Sequence, residues 1–289
     1  LIHAKRLRLC SNAANWGKAQ TNIAIWAVAI GFLRMLQSVR TALDVFELVA
    51  KQQPIGVSEL ARLLDVNKST VQRCLETLHD AGWLRPEGDG ATKWVITGRI
   101  LDLGGHVSDG QHLARAAIPV MLRLRETTQE TIHLAVPDQR DALLIERLES
   151  PQPVRIFYPV GTRVPLNAAA TGKAILSTWD PLRLEVFMQG GLDGLTVQTI
   201  VETGKLQAEL DLIRTRGWSE AIDELGEGAS AVAASIKDPS GFAVAAISVS
   251  APTSRFGLQM RKKHAAAVMH AAHEIADGLF GGQTIRSRR

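Results

Sequence analysis

The stretch Asn67-Lys68-Ser69-Thr70-Val71-Gln72-Arg73 gathers side chains that can read nucleic-acid bases. An arginine such as Arg73 can pair with guanine through two hydrogen bonds, and Gln72 can do the same with adenine. Ser69 and Thr70 offer hydroxyls, and Lys68 offers a charge, to phosphate oxygens or base edges. A helix starting at Lys68 would also turn its free N–H groups toward a phosphate. A second polar set lies far along the chain. Ser235, Ser248 and Ser250 interrupt apolar runs, Glu224 precedes the turn Gly226-Glu227-Gly228, and Asn167 opens a helix of small residues. Buried hydroxyls need partners. A polar ligand would supply them, and so would backbone carbonyls or a water. The start of the small-residue helix could receive a carboxylate.

The first set needs a scaffold that presents one helix end. Ala42, Val45, Phe46 and Val49 recur at helical spacing, which predicts a helix ending near Lys51. Gly56 is placed to cap a second helix with the apolar face Leu60, Leu63 and Leu64. Asp65-Val66 makes a tight turn, and Asn67 caps a third helix from Lys68 to about Ala81. That helix should bury Val71, Leu75 and Leu78 with Cys74 beside them, and expose Lys68, Ser69, Gln72 and Arg73. Thr70 could be exposed or partly buried. Two short helices across a tight turn read as a helix-turn-helix, the second entering the major groove. Gly82 ends the third helix. Trp83 to Arg85 and Lys93 to Ile96 form a hairpin around the tip Glu87-Gly88-Asp89-Gly90. The hairpin is the wing of a winged helix, with Arg85 and Lys93 near phosphate. A winged helix can also serve as a protein-interaction module.

Charge does not settle the partner. The formal net charge is +4, but residues 1–40 hold six basic groups and no acidic one. Residues 38–106 hold eight basic and nine acidic groups, so DNA affinity would rest on a local face. Residues 1–37 read as an extension or docking arm. Their apolar run Ile23 to Leu33 imitates a signal-peptide core, but Arg34 follows at once and no small-residue cleavage site appears. Residues 281–289 read as a basic tail. No apolar run approaches the roughly 20 residues that span a bilayer. Cys10 and Cys74 make neither a disulfide framework nor a four-cysteine zinc site, and Cys74 reads as core.

Residues 107–126 read as a linker helix that Pro119 should kink or split. Residues 127–280 mix strands and helices. Strands are expected at Ile132 to Val136, Ala142 to Leu148, Val154 to Phe157, Ser230 to Ile236 and Phe242 to Val249. Helices are expected at Ala168 to Ser177, Leu182 to Phe187, Gly204 to Thr215 and Phe256 to Leu279, the last carrying Met260, His264, Val268, Ala272 and Ile275. Hairpins without repeated βα crossovers indicate an α+β sandwich. Catalytic signatures fail. Ala170-Thr171-Gly172-Lys173-Ala174 lacks the first glycine and the final hydroxyl of a phosphate loop, leaving Lys173 as a surface residue or local anchor. His270 and His273-Glu274 lack the order of a zinc-protease helix. No catalytic residue, metal or cofactor is expected.

Three stretches together resemble the IclR family of transcriptional regulators: LARLLDVNKSTVQRCLETLHDAGWL, GTRVPLNAAATGKAIL and RGWSEAIDELGEGASAVAASIKDPSGFAVAAISVSAPTSR. The resemblance covers about residues 38–280. It implies a winged helix-turn-helix domain over 38–106 and a GAF-like antiparallel sheet with flanking helices over 127–280. It also implies a dimer or tetramer on a palindromic operator, controlling catabolic or stress genes as repressor or activator. Small organic acids or aromatic compounds are the implied effectors. By the same resemblance Asn167, Ala168, Ala169, Glu224, Ser235, Ser248 and Ser250 fall in the effector pocket. The family commonly carries a histidine and hydroxyl residues where this chain has Asn167-Ala168-Ala169, which points to a less acidic or more apolar ligand. A DNA role implies a cytoplasmic protein. The competing readings are a protein-binding scaffold and, far behind, an enzyme using the C-terminal cleft.

Overall fold

The computed structural model describes residues 37–88, 93–105 and 108–281. Residues 1–36, the end of the wing tip from Asp89, and the tail after Gly281 lie outside the described residues, with the expectations attached to them. The chain divides into two compact units, Leu1–His106 and Val107–Arg289.

In the first unit α1 covers residues 37–52, α2 Val57–Leu64 and α3 Lys68–Asp80. Val45 and Val49 of α1, Leu60 of α2, and Val71 and Leu75 of α3 close one core with Leu84 and Trp94. Cys74 belongs to it, and burial pushes its thiol up, so it stays protonated. Asp65 takes a left-handed conformation (φ 52°) to turn the chain between the helices. Asn67 stands at the N-cap of α3 but makes no side-chain cap; its carbonyl instead accepts from the N–H groups of Thr70 and Val71. Gly82, at φ 78°, ends the helix, where a side chain would be strained.

The wing is three-stranded. β2 (Leu84–Pro86) and β3 (Lys93–Ile96) pair as expected, and β3 also pairs with β1 (Ile55–Gly56), which the sequence did not reveal. The Gln53 side-chain oxygen accepts from the Ile96 N–H at 2.8 Å, tying that edge down. A short helix, α4 (Arg99–Gly105), follows; its Arg99 guanidinium lies 4.8 Å from the Trp83 ring.

In the second unit α5 runs unbroken over Ser108–Thr128, so Pro119 does not split it. Pro119 faces solvent, where the carbonyl deprived of its hydrogen bond can take water. Leu113, Ala117, Val120, Met121 and Leu124 make α5 part of the core rather than a spacer. Six antiparallel strands follow the order β6-β5-β4-β9-β8-β7. They are β4 (Thr131–Asp138), β5 (Asp141–Leu148), β6 (Arg163–Pro165), β7 (Ser219–Ile222), β8 (Ala229–Lys237) and β9 (Ala243–Pro252). One face, with Ile132, Leu134, Val232, Ile247 and Val249, packs on α5 and on α9 (Leu258–Phe280). The other packs on α6 (Ala170–Leu176), backed by α7 (Pro181–Gln189) and α8 (Thr203–Arg216).

The expected strand at Val154 to Phe157 is absent; the segment is irregular, and β6 takes the sheet edge. Its carbonyls are held by side chains instead of a ladder. Arg255 donates to Val154 O, Thr131 to Ile156 O and Arg147 to Tyr158 O. Val154 and Phe157 are exposed, Phe157 lying 3.9 Å beneath the Arg147 guanidinium, while Ile156 is half-buried. Strand β7 was not anticipated. Met260, expected along the apolar face of α9, is exposed, whereas His264, Val268, Ala272 and Ile275 are buried.

Candidate DNA-reading face and ligand cavity

The two polar sets occupy opposite environments. On α3, Lys68, Ser69, Thr70 and Arg73 are all exposed, which settles Thr70 as a surface residue. The burial of Val71, Cys74 and Leu75 on one side of the helix turns these residues to the other. Gln72 differs from expectation. It is half-buried, and its amide donates to Glu76 Oε1 at 2.8 Å, so it must exchange that bond to reach a base. Arg85 and Lys93 are exposed on neighbouring wing strands. Lys68, Arg73, Arg85 and Lys93 make no ion pair with any described residue. Four unpaired cations and two free hydroxyls on one helix end and a hairpin suit a polyanion.

In the second unit a cavity lies between the sheet and the start of α6. It holds ≈ 460 Å³ of empty space, counting its open mouth. Ala169, Ser248 and Ser250 line it; Asn167, Ala168, Glu224 and Ser235 do not. Asn167 does not open α6, which begins three residues later. Its amide nitrogen donates to Asp193 O at 2.8 Å and Ile200 O at 3.1 Å, and its oxygen accepts from Asp193 N at 3.3 Å. That side chain is spent on holding the loop between α7 and α8. Ala168 is fully buried, its N–H on Pro165 O. Ser235 shares the sheet face of Ser248 but stands opposite Ala246, away from the lining.

Glu224 meets Lys173, which is buried rather than on the surface. The pair is 2.6 Å apart, with Lys173 only 1% exposed. Burial pushes the Glu224 carboxyl above its ordinary range, and the Lys173 ammonium partly holds it back. The second carboxylate oxygen has no partner among the described residues. Thr199 donates to the Glu224 carbonyl and Thr196 to the Asp223 carbonyl, so the Lys173–Glu224 pair fastens α6 to the loops after α7 and β7.

The residue missed in the sequence is His133. It lies on β4, opposite Ser248 of β9, and lines the cavity with Tyr158, Thr171 and Ser230. Its Nδ1 is 3.3 Å from Ser250 Oγ, and its Nε2 is buried without a partner. Burial, aided by the Arg147 charge, lowers its pKa to about 4, so the ring is neutral near pH 7. A signal existed: Thr131 and His133 alternate with Ile132, Leu134 and Val136, putting polar groups on the second face of an otherwise apolar strand. Leu144, Ile156, Val164, Leu225 and several alanines complete the wall. On the helix side a Cβ at Gly172 would fall 2.3 Å from Leu166 O, so α6 rests directly on that backbone.

Among the described residues no group of three or more His, Cys, Asp or Glu could hold a metal ion. No described helix is long and apolar enough to cross a membrane.

Comparison with known proteins gives these features a common context. Residues 38–88 match the IclR helix-turn-helix domain, and residues 105–277 match the bacterial transcriptional regulator IclR C-terminal domain. The HTH-type transcriptional regulator KdgR of Dickeya chrysanthemi is 31% identical over 245 residues, covering 84% of this chain and 80% of that protein. The IclR of Thermotoga maritima superposes with a TM-score of 0.69 at 24% identity, over 84% of this chain and 99% of that one. An IclR homolog of Microbacterium hydrocarbonoxydans, solved with 4-hydroxybenzoate, gives 0.73 at 22% identity, over 84% and 99%. At these identities the two structures speak to the shared fold.

Proposed function

The chain belongs to the IclR family of bacterial transcriptional regulators, and on that premise we propose how it divides the work. It is a ligand-responsive, DNA-binding regulator of the two-unit kind. Helix α3 enters the major groove, with Arg73 and the first-turn hydroxyls at base edges and Arg85 and Lys93 on phosphate. The observation that carries this reading is the set of cations on α3 and the wing without an ion pair to any described residue, in a segment, residues 38–106, whose charges nearly balance. The effector occupies the cavity lined by His133, Tyr158, Ser248 and Ser250. Its binding shifts the protein between states of different operator affinity, as coupling between sites requires. The working form is a dimer or tetramer in the cytoplasm on a palindromic operator beside catabolic or stress genes. The relatives are transcriptional regulators rather than enzymes, which supports the same reading.

A genome-fragment binding selection at two salt concentrations, followed by footprinting, tests the DNA role. The expected result is a palindromic site protected over two half-sites, with affinity falling as salt rises. Weak, salt-insensitive binding without enrichment would favour the protein-scaffold reading.

A further inference from the structure

We infer that the cavity of the second unit takes a small uncharged compound bearing a hydroxyl, a phenol or an alcohol, with His133 as the residue that selects it. The inference rests on reading the cavity as the effector site.

The polar inventory comes first. His133 is 2% exposed, its Nδ1 is engaged with Ser250, and its Nε2 has no partner. A neutral imidazole presents either a donor or an acceptor at Nε2, according to its tautomer. A hydroxyl can answer both, because it donates and accepts. A carboxylate only accepts. Ser248 lies opposite His133 in the β4–β9 pairing, so a second hydroxyl is available beside the ring.

The charges point the same way. Among the described residues lining the cavity there is no Asp, Glu, Lys or Arg. The two cations built into its surroundings each face a carboxylate, although Glu149 is shared by Arg147 and Arg155 and Arg147 Nε is buried without a partner. Arg147, paired opposite His133 in the sheet, meets Glu149 at 2.8 Å, and Lys173 of α6 meets Glu224 at 2.6 Å. An anion entering here would meet no charged side chain in the wall, and an uncompensated buried charge is strongly disfavoured. The remaining wall is aliphatic or aromatic, from Leu144, Ile156, Val164, Leu225 and Tyr158, and suits one ring or a short carbon chain.

The test is calorimetric titration of the full chain with benzyl alcohol, phenol and benzoate at pH 6 and pH 8. Benzyl alcohol or phenol should bind at least about tenfold more tightly than benzoate, with affinity changing less than about twofold between the two pH values. His133→Phe should remove that preference for the hydroxyl. Ser250→Ala should weaken hydroxyl binding and serves as the second probe if His133→Phe does not fold. Benzoate binding more tightly than the alcohols, and tighter still at the lower pH, would overturn the inference. So would the failure of all three probes to bind at millimolar concentration. The cavity-filling Ala231→Phe separates the two levels. Benzoate binding that this variant abolishes leaves the cavity as the site and removes only the uncharged ligand. Alcohol binding that survives it places the site elsewhere and removes the reading beneath.

Discussion

The α3 surface and the cavity hold similar residue types in opposite states. On α3 the charged and hydroxyl groups are exposed, and the cations lack ion-pair partners. Around the cavity the neighbouring cations are set against carboxylates within the fold, whereas the hydroxyls of Tyr158, Thr171 and Ser248 bond to no described residue, and His133 Nε2, Arg147 Nε and Glu224 Oε2 are buried without a partner. The difference separates surface recognition from buried recognition. A helix face can wait in water for its partner at little cost. A buried group without a partner costs free energy, so each one left in place marks a function or a strain.

The largest expected effect lies on the buried side. Lys173→Met should destabilise the second unit by about 3–5 kcal/mol, because it strands the Glu224 charge. Adding Glu224→Leu should restore most of the loss, as chemical denaturation of both variants would show. If the single variant is as stable as wild type, the pair does not fasten α6, and the contrast between the two regions weakens.

Acid should come next. His133 is protonated near its ordinary 6.5 when unfolded and near about 4 when folded. Between those values the unfolded chain binds more protons, so stability rises with pH. The contribution is complete above 6.5 and lost as pH falls toward 4. The interval spans about 2.5 pH units at about 1.36 kcal/mol each, on the order of 3 kcal/mol. Burial shifts His264 in the same direction. Thermal melts from pH 7 to 4 should therefore show a shallower loss in His133→Gln than in wild type.

On the exposed side, Arg73→Ala should cost about 1–3 kcal/mol of operator binding, a loss of about fivefold to 150-fold, with ligand titrations unchanged. Equal loss on operator and random DNA would reassign Arg73 from base to phosphate. The smallest effect is expected at Lys93→Ala or Arg85→Ala, a near-uniform weakening that reduces the salt-dependence slope by about one.

The same contrast explains what the sequence disclosed. The face of α3 was legible because its pattern is local: buried Val71, Cys74 and Leu75 determine by helical period which neighbours look outward. Ser248 and Ser250 were legible as one face by strand alternation. Asn167 and Glu224 stood out as unusual, but the partners the structure gives their side chains, in the loop at Asp193 to Ile200 and at Lys173, lie too far along the chain to be read from it. His133 escaped because the strand pairing that sets it beside Ser248 joins distant parts of the chain. Val154 to Phe157 has strand-forming residues, yet side-chain donors took the carbonyls a ladder would have used.

Gly172 carries a consequence for how such a protein can acquire a new effector. The helix beside the cavity is fixed at its back, since even a methyl group at Gly172 meets the backbone of Leu166 and α6 cannot shift that way to enlarge the site. The strand wall is built of side chains that end in the cavity. A laboratory selection for altered response should therefore collect its substitutions at His133, Ala231, Ser248 and Ser250, and leave Gly172 untouched. A biosensor library confined to those strand positions would spend its diversity where the fold can absorb it.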